Sequence, residues 1–271
     1  MRDLASGPYT QAKMMADVSM ERTLHFQAAA IWPQERRVFE GMGLHRCEKV
    51  VDLGCGTGEI SSRLAANYEI REIVGVDLLE KSIELARQRH GRFSNLSFQV
   101  GDAAQTPFES GTFDLSLNRH LLQAIPNPKS VILEMKRITK PGGVLYFLAE
   151  DYAMIHCTNH DGELFWIKAQ EGIQSQGTDL LFGRKLPIIL QEMGFSSFTC
   201  DFLTVATWNT PRETLAEIFR YWMEGYAEFL AEHNHLPVTR TRRHFQDHID
   251  CCLDPKEHLV WHIPIMTVIN P

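Results

Sequence analysis

Basic charge is scarce in this sequence: 27 Lys and Arg stand against 34 Asp and Glu, a formal net charge of −7. Nucleic-acid binders draw much of their affinity from neutralising phosphates. The short cluster Arg240-Thr241-Arg242-Arg243 reads as a solvated helix face rather than a phosphate footprint, so no nucleic-acid partner is expected. Long apolar runs are missing too. Nothing approaches the ~20 residues of a membrane span, and the start MRDLASGPYT lacks a signal-peptide core. The six cysteines (47, 55, 157, 200, 251 and 252) include no CxxC pair, and two of them are neighbours. That argues against a zinc site or a disulfide framework and for a reducing compartment, the cytoplasm by default. Internal repeats and low-complexity tracts are absent as well.

What is present is a chain that is 44% hydrophobic and long enough for one large domain with insertions. The first 45 residues pattern as a helical cap in two pieces, with Pro33 opening the second. From Lys49 onward strands and helices alternate. Strands are expected at 49–53, 72–77, 96–100, 113–117 and 143–148, with helices at 58–67, 79–89 and 129–138 between them. This rhythm predicts a doubly wound, Rossmann-like α/β sheet whose ligands bind beyond the strand carboxyl ends. A helix at 184–193 stopped by Gly194 follows, then a strand at 197–208, helices at 211–232 and 238–253, and a final strand at 259–269. Pro264 suggests that the last strand has a bulge or lies near an edge. Residues 46–271 therefore read as one domain, with insertions at about 151–180 and 209–256 forming a lid.

The first strand runs into Val50-Val-Asp-Leu-Gly-Cys-Gly-Thr-Gly58, and three ligands compete for that turn. A triphosphate needs GxxxxGK[ST], and no Lys follows the glycines. A dinucleotide needs GxGxxG, but Glu59 stands at the third glycine's place and would set a carboxylate where a pyrophosphate sits. S-adenosylmethionine carries no phosphate, and its ammonium and sulfonium tolerate acidic neighbours. Asp52 can accept from the ammonium, Asp77 from both ribose hydroxyls and Asp102 from the adenine amine, each from a strand end.

The motifs Val51-Asp-Leu-Gly-Cys-Gly-Thr-Gly58, Val74-Gly-Val-Asp77, Gly101-Asp-Ala103, Pro107-Phe108 with Phe113-Asp114, and Lys140-Pro-Gly-Gly143 occur in order over residues 48–150. In these the sequence resembles the class I S-adenosylmethionine-dependent methyltransferases, in the branch that includes ubiquinone/menaquinone-biosynthesis enzymes. The resemblance implies a seven-stranded, mostly parallel sheet with its last strand antiparallel. It implies S-adenosyl-L-methionine as cofactor, with Gly54, Cys55 and Gly56 forming the turn at its methionine moiety and Asp77 on its ribose. Leu78 would pack on the adenine, Asp102 and Ala103 would meet the adenine edge, and Asn118 would lie by the sulfonium. From the helical cap, Gln27 and Tyr9 would close over the methionine end.

The expected activity is in-line methyl transfer to a small-molecule acceptor. The alternative is a protein of the same fold that binds the cofactor without transfer, and a dehydrogenase is a third reading. A base is needed where the acceptor begins protonated. The candidates are His120, Tyr152, His156 and His160, with His120 best placed after Asn118. His244 and His248 are four apart on a predicted helix, but no third ligand is evident, so they read as a solvated face and no metal is expected. Phe219, Tyr221, Trp222, Tyr226 and Phe229 are either core or the lining of an acceptor pocket. The sequence sets no oligomeric state.

Overall fold

The computed structural model describes residues 18–271. Its centre is an eight-stranded sheet. Strands β1 (Lys49–Leu53), β2 (Glu72–Asp77), β3 (Leu96–Val100), β4 (Phe113–Arg119) and β5 (Thr139–Leu148) are parallel and ordered β3-β2-β1-β4-β5. Helices α2 (Glu59–Asn67), α3 (Glu80–His90) and α4 (Pro128–Ile138) provide crossovers, and α1 (Val18–Gly41) precedes β1. The order of strands reverses between β1 and β4, which is where such sheets open a crevice for ligand.

The last strand, β8 (Leu259–Ile269), runs antiparallel to β5 along Val144–Leu148 and to β7 (Phe198–Ala206) on its other edge. The one strand beyond the expected seven is β6 (Ile155–Cys157), which pairs with Leu259–Trp261 on the β5 side of β8. Pro264 sits neither at an edge nor in a bulge, contrary to the sequence reading. It lies in the gap between the β5 and β6 ladders, where its carbonyl accepts from Ala149 N–H at 3.2 Å. Neither the β5 nor the β6 register includes Pro264, so its missing N–H interrupts no pairing of those two ladders.

Alternation sets the two cores. Val50, Ile73, Leu115, Leu117, Tyr146 and Ile263 face α1, α2 and α3. Val51, Leu53, Val74, Val76, Phe147 and Met266 face α4 and α6 (Leu186–Glu192). The α1 helix is continuous through Pro33 rather than broken there. A proline costs a helix one hydrogen bond, and α1 is held meanwhile by Ile31 and Phe39, both fully buried.

Residues beyond β5 give α5 (Gly162–Ile173), which the sequence reading did not anticipate, and the long pair α7 (Arg212–His233) and α8 (Val238–Leu253). This pair joins the same face as α1, with Phe26 of α1 stacked on Tyr221 of α7 at 5.7 Å. Arg212 pins the far end, donating to the carbonyls of Cys252, Asp254 and Glu257.

Candidate active site

The turn after β1 is built on backbone that glycine adopts without strain. Gly54 and Gly56 have φ of 82° and 52°, and a Cβ would meet Leu121 or Leu24 at 2.9 Å. Asp77, at the end of β2, holds the turn in place: its Oδ2 accepts from Gly56 N–H at 2.8 Å and its Oδ1 from Leu79 N–H at 2.9 Å. Asp102 is braced likewise by Ala104 N–H at 2.8 Å.

Around these groups opens a cleft of about 920 Å³, its mouth included. Gly54, Gly56, Asp77, Leu78, Asp102, Ala103 and His120 all line it, with Leu121, Ile125 and Val131 as an apolar wall. An acidic group at each strand end and an apolar slot between them suit a nucleoside. Burial pushes the Asp77 carboxyl above its ordinary range, against the lowering effect of its backbone donors.

Asp52 and Cys55 border a smaller recess beside that cleft, together with Gln27, Gly54, Arg119 and His120. Asp52 accepts from Ser61 Oγ at 2.6 Å, and burial raises its pKa to about 6, the hydroxyl and Arg119 pulling the other way. Asn118 departs from its expected place. It lines none of these clefts, being fully buried with its amide donating to Leu53 O at 2.6 Å. A buried amide needs partners, and this one ties β4 to β1 where the turn begins. Tyr9 lies outside the described residues.

Sequence reasoning missed Arg119. It follows Asn118 at the end of β4 and borders both the cleft and the recess. Its Nε donates to the fully buried Glu35 of α1 at 2.7 Å, and Tyr146 OH donates to the same oxygen at 2.9 Å. One guanidinium nitrogen, Nη2, is buried with no partner among the described residues. The only signal was the sequence Asn118-Arg119-His120 at a strand end; its partner Glu35 is remote in the chain.

A second cavity of about 680 Å³ adjoins the cleft. Tyr152, Trp166, Trp222, Tyr226 and Phe229 wall it, with Thr23, Gln27 and Gln123 supplying polar atoms. The helix aromatics therefore divide: Trp222, Tyr226 and Phe229 line the cavity, Phe219 is core and Tyr221 packs on Phe26.

His120 and Leu24 border the cleft, the recess and the aromatic cavity alike. His120 adopts a left-handed φ of 55°, uncommon for a non-glycine residue and a form of local strain often met at functional sites. Its Nδ1 lies 2.7 Å from Oε1 of the fully buried Glu150, although the angle falls short of a good hydrogen bond. Glu150 is held in turn by Trp261 Nε1 at 3.2 Å. Catalytic hydrogen bonds are often misaligned until substrate binds. Of the other candidate bases, Tyr152 lines the cavity, His156 is exposed near Glu163, and His160 belongs elsewhere.

His160 packs with His244 and His248, whose expected solvated face is overturned. His248 is fully buried, His244 stacks on Phe165 at 3.6 Å, and burial lowers the pKa of both. Aromatic side chains of α5 and α7 cover that side of α8, so the helix buries its histidines and exposes its arginines.

A model of the methyltransferase-domain family matches residues 44–178. Among curated relatives, the demethylmenaquinone methyltransferase of Staphylococcus aureus (strain JH9) is 29% identical over 130 residues, 48% of this chain and 53% of that protein. The chain thus spans about half the length of the curated relatives it matches. Among solved structures, Haemonchus contortus phosphoethanolamine N-methyltransferase 2, bound to phosphomonomethylethanolamine and S-adenosylhomocysteine, aligns with a TM-score of 0.62 at 20% identity. That alignment covers 99% of this chain and 60% of the other. The [4+2]-cyclase SpnF aligns with a TM-score of 0.50 at 21% identity, over 100% of this chain and 86% of the other. A cyclase with this fold shows that the architecture alone does not choose the chemistry.

Sheet order, glycine turn and acidic strand ends define a class I S-adenosylmethionine-dependent methyltransferase domain. Residues 44–178 match the methyltransferase-domain family.

Proposed function

We propose that the chain binds S-adenosylmethionine in the cleft over β1, β2 and β3 and transfers its methyl group to a small acceptor in the aromatic cavity. The observation that carries this reading is His120, a part-buried imidazole at the junction of the two spaces. Asp77 takes the ribose hydroxyls, Leu78 and Ala103 flank the adenine, and Asp102 accepts from its amine. Asp52 and Arg119, both lining the recess, take the ammonium and the carboxylate of the methionine end, with Gln27 and Cys55 beside them.

The acceptor is largely apolar and begins with an ionisable proton. The Glu150 carboxylate beside Nδ1 keeps the proton there and leaves Nε2 as the basic atom. Nε2 removes the acceptor proton as the acceptor's lone pair attacks the methyl carbon, and the C–S bond electrons return to sulfur. Holding the reacting atoms about 3 Å apart and in line can supply up to roughly 7–11 kcal/mol of the barrier. The segments 151–180 and 209–256 act as the lid of this cavity. Six cysteines with no disulfide among them suit a reducing compartment such as the cytoplasm.

Incubation with methyl-labelled adenosylmethionine and pools of phenolic and amine acceptors tests the reading. Label transfer with release of adenosylhomocysteine is expected. Cofactor binding without turnover on any pool would instead favour the non-catalytic binding protein. In His120→Asn, kcat should fall about 10²–10⁴-fold, the usual weight of general-base catalysis, with cofactor affinity unchanged. Equal turnover in the variant would remove His120 from the mechanism.

A further inference from the structure

On the far side of Trp166 from the aromatic cavity, four residues that bind transition metals converge at the base of the lid. Cys157 ends β6, His160 lies in the loop before α5, and His248 and Cys251 stand one turn apart on α8. Cys157, His160 and His248 each offer a ligand atom, and the three atoms lie within 4.8 Å of one another. The corresponding edges of a zinc tetrahedron, with bonds of 2.0–2.3 Å, are about 3.3–3.8 Å, so modest side-chain movement closes the set. Cys251 stands beside Cys157, and its Sγ lies 3.3 Å from the His258 carbonyl oxygen.

The imidazoles are prepared for such a role. His248 Nδ1 lies 2.9 Å from the His244 carbonyl oxygen, and His160 Nδ1 lies 2.7 Å from Asn159 Oδ1. A carbonyl oxygen only accepts, so both protons sit on Nδ1; His248 Nε2 keeps its lone pair free, while His160 Nε2 lies 3.2 Å from His248 Nδ1–H and turns from it to meet a metal. This is how histidine ligands of metals are usually held. His248 Nε2 is buried without a partner among the described residues, a state that costs about 1–3 kcal/mol. Both Nε2 atoms border Gly162, where a Cβ would meet that of His248 at 2.9 Å and that of His160 at 3.4 Å. Phe219 stacks on the His248 ring at 4.7 Å, and Trp166 closes another side, giving the dry surround that closed metal sites favour.

We propose that Cys157, His160 and His248, with Cys251 as the fourth ligand, bind one divalent transition-metal ion of zinc type that pins α8 to β6 and the start of α5. Two nitrogens and two thiolates form a donor set for a tetrahedral, structural ion, and the thiol protons leave to solvent as it binds. The chain spacing is C-x2-H and H-x2-C, a pattern that a search for CxxC pairs passes over. Because Trp166 touches the cluster on one side and walls the aromatic cavity on the other, the ion would also steady that wall.

The full chain is prepared with reductant, stripped with a chelator and titrated with Zn²⁺ and Co²⁺. About one equivalent per chain is expected, with a rise in Tm and, for Co²⁺, thiolate-to-cobalt charge-transfer absorption. Cys157→Ser should weaken that absorption, and Cys157→Ser combined with Cys251→Ser should abolish it. His160→Asn and Gly162→Ala, each with its fold checked by circular dichroism, should weaken metal binding roughly tenfold or more. His156→Ala, at an exposed neighbour, should leave it unchanged. A folded chain that takes up no stoichiometric metal would overturn the proposal, as would unaltered affinity in Cys157→Ser and His160→Asn. A Cys157–Cys251 disulfide found by mass spectrometry in a chain that never binds metal would overturn it too.

Discussion

Asp77 carries two jobs with one carboxylate: it fastens the glycine turn through Gly56 and Leu79 and presents its remaining lone pairs to the cleft. Asp77→Ala should weaken adenosylmethionine binding by about 1.5–3 kcal/mol, the range for hydrogen bonds to a charged group; calorimetry showing an unchanged Kd would refute the role. Asp52 gives a pH signature of opposite sign for stability and for binding. Burial raises its folded-state pKa from the ordinary 3.8 to about 6. The folded state therefore holds the proton more tightly, and this stabilising contribution is complete below pH 3.8 and lost as pH rises through about 6. Cofactor binding through the ammonium needs the ionised form, so affinity should rise over the same window. Asp52→Asn should flatten both slopes; a binding profile identical to the parent's would contradict the contact. Asp52, Asp77 and Asp102 were legible because each falls at a strand end. Arg119, Glu35 and Glu150 were not, since a buried ion pair leaves no periodic mark in the sequence and its partners lie far apart along the chain.

At the scale of elements, the glycine turn is where backbone conformation and ligand approach coincide. Gly54→Ala would impose a Cβ at φ 82° and press it against Leu121. A loss of about 1–3 kcal/mol in unfolding free energy is expected from the strain, measurable by urea titration, along with weaker cofactor binding. Stability equal to the parent's would mean that the turn relaxes. Strands β1 to β3 stand where the sequence placed them, because short apolar runs between polar turns admit few other readings. The β5 strand begins at Thr139 rather than 143, its ladder to β4 absorbing Pro141-Gly142-Gly143 through an irregularity between Phe113 and Leu115. Short β6 and aromatic α5 were not legible: a three-residue strand has no period, and α5 carries apolar residues around much of its circumference. Pro33 misled for a different reason, since tertiary burial of α1 outweighed a local breaker.

For the molecule as a whole, the cleft over β1, β2 and β3 is bordered by the first described helix, which α7 packs against in turn. Leu24 and Gln27 of α1 reach it or its recess, while α7 packs α1 from outside. Filling the cleft should therefore slow amide exchange in α1 and α7 as well as in the glycine turn, because each must open for the ligand to leave. Hydrogen-exchange mass spectrometry with and without adenosylhomocysteine checks this. Protection confined to 52–58 would mean that α1 is no part of the closure. The acidic charge adds that bulk RNA should not compete with the cofactor. The most direct test of the account is a calorimetric titration of the chain with adenosylmethionine and, separately, with NAD. The account predicts one adenosylmethionine site per chain, weakened in Asp77→Ala, and no saturable heat with NAD. NAD binding of comparable strength would contradict it.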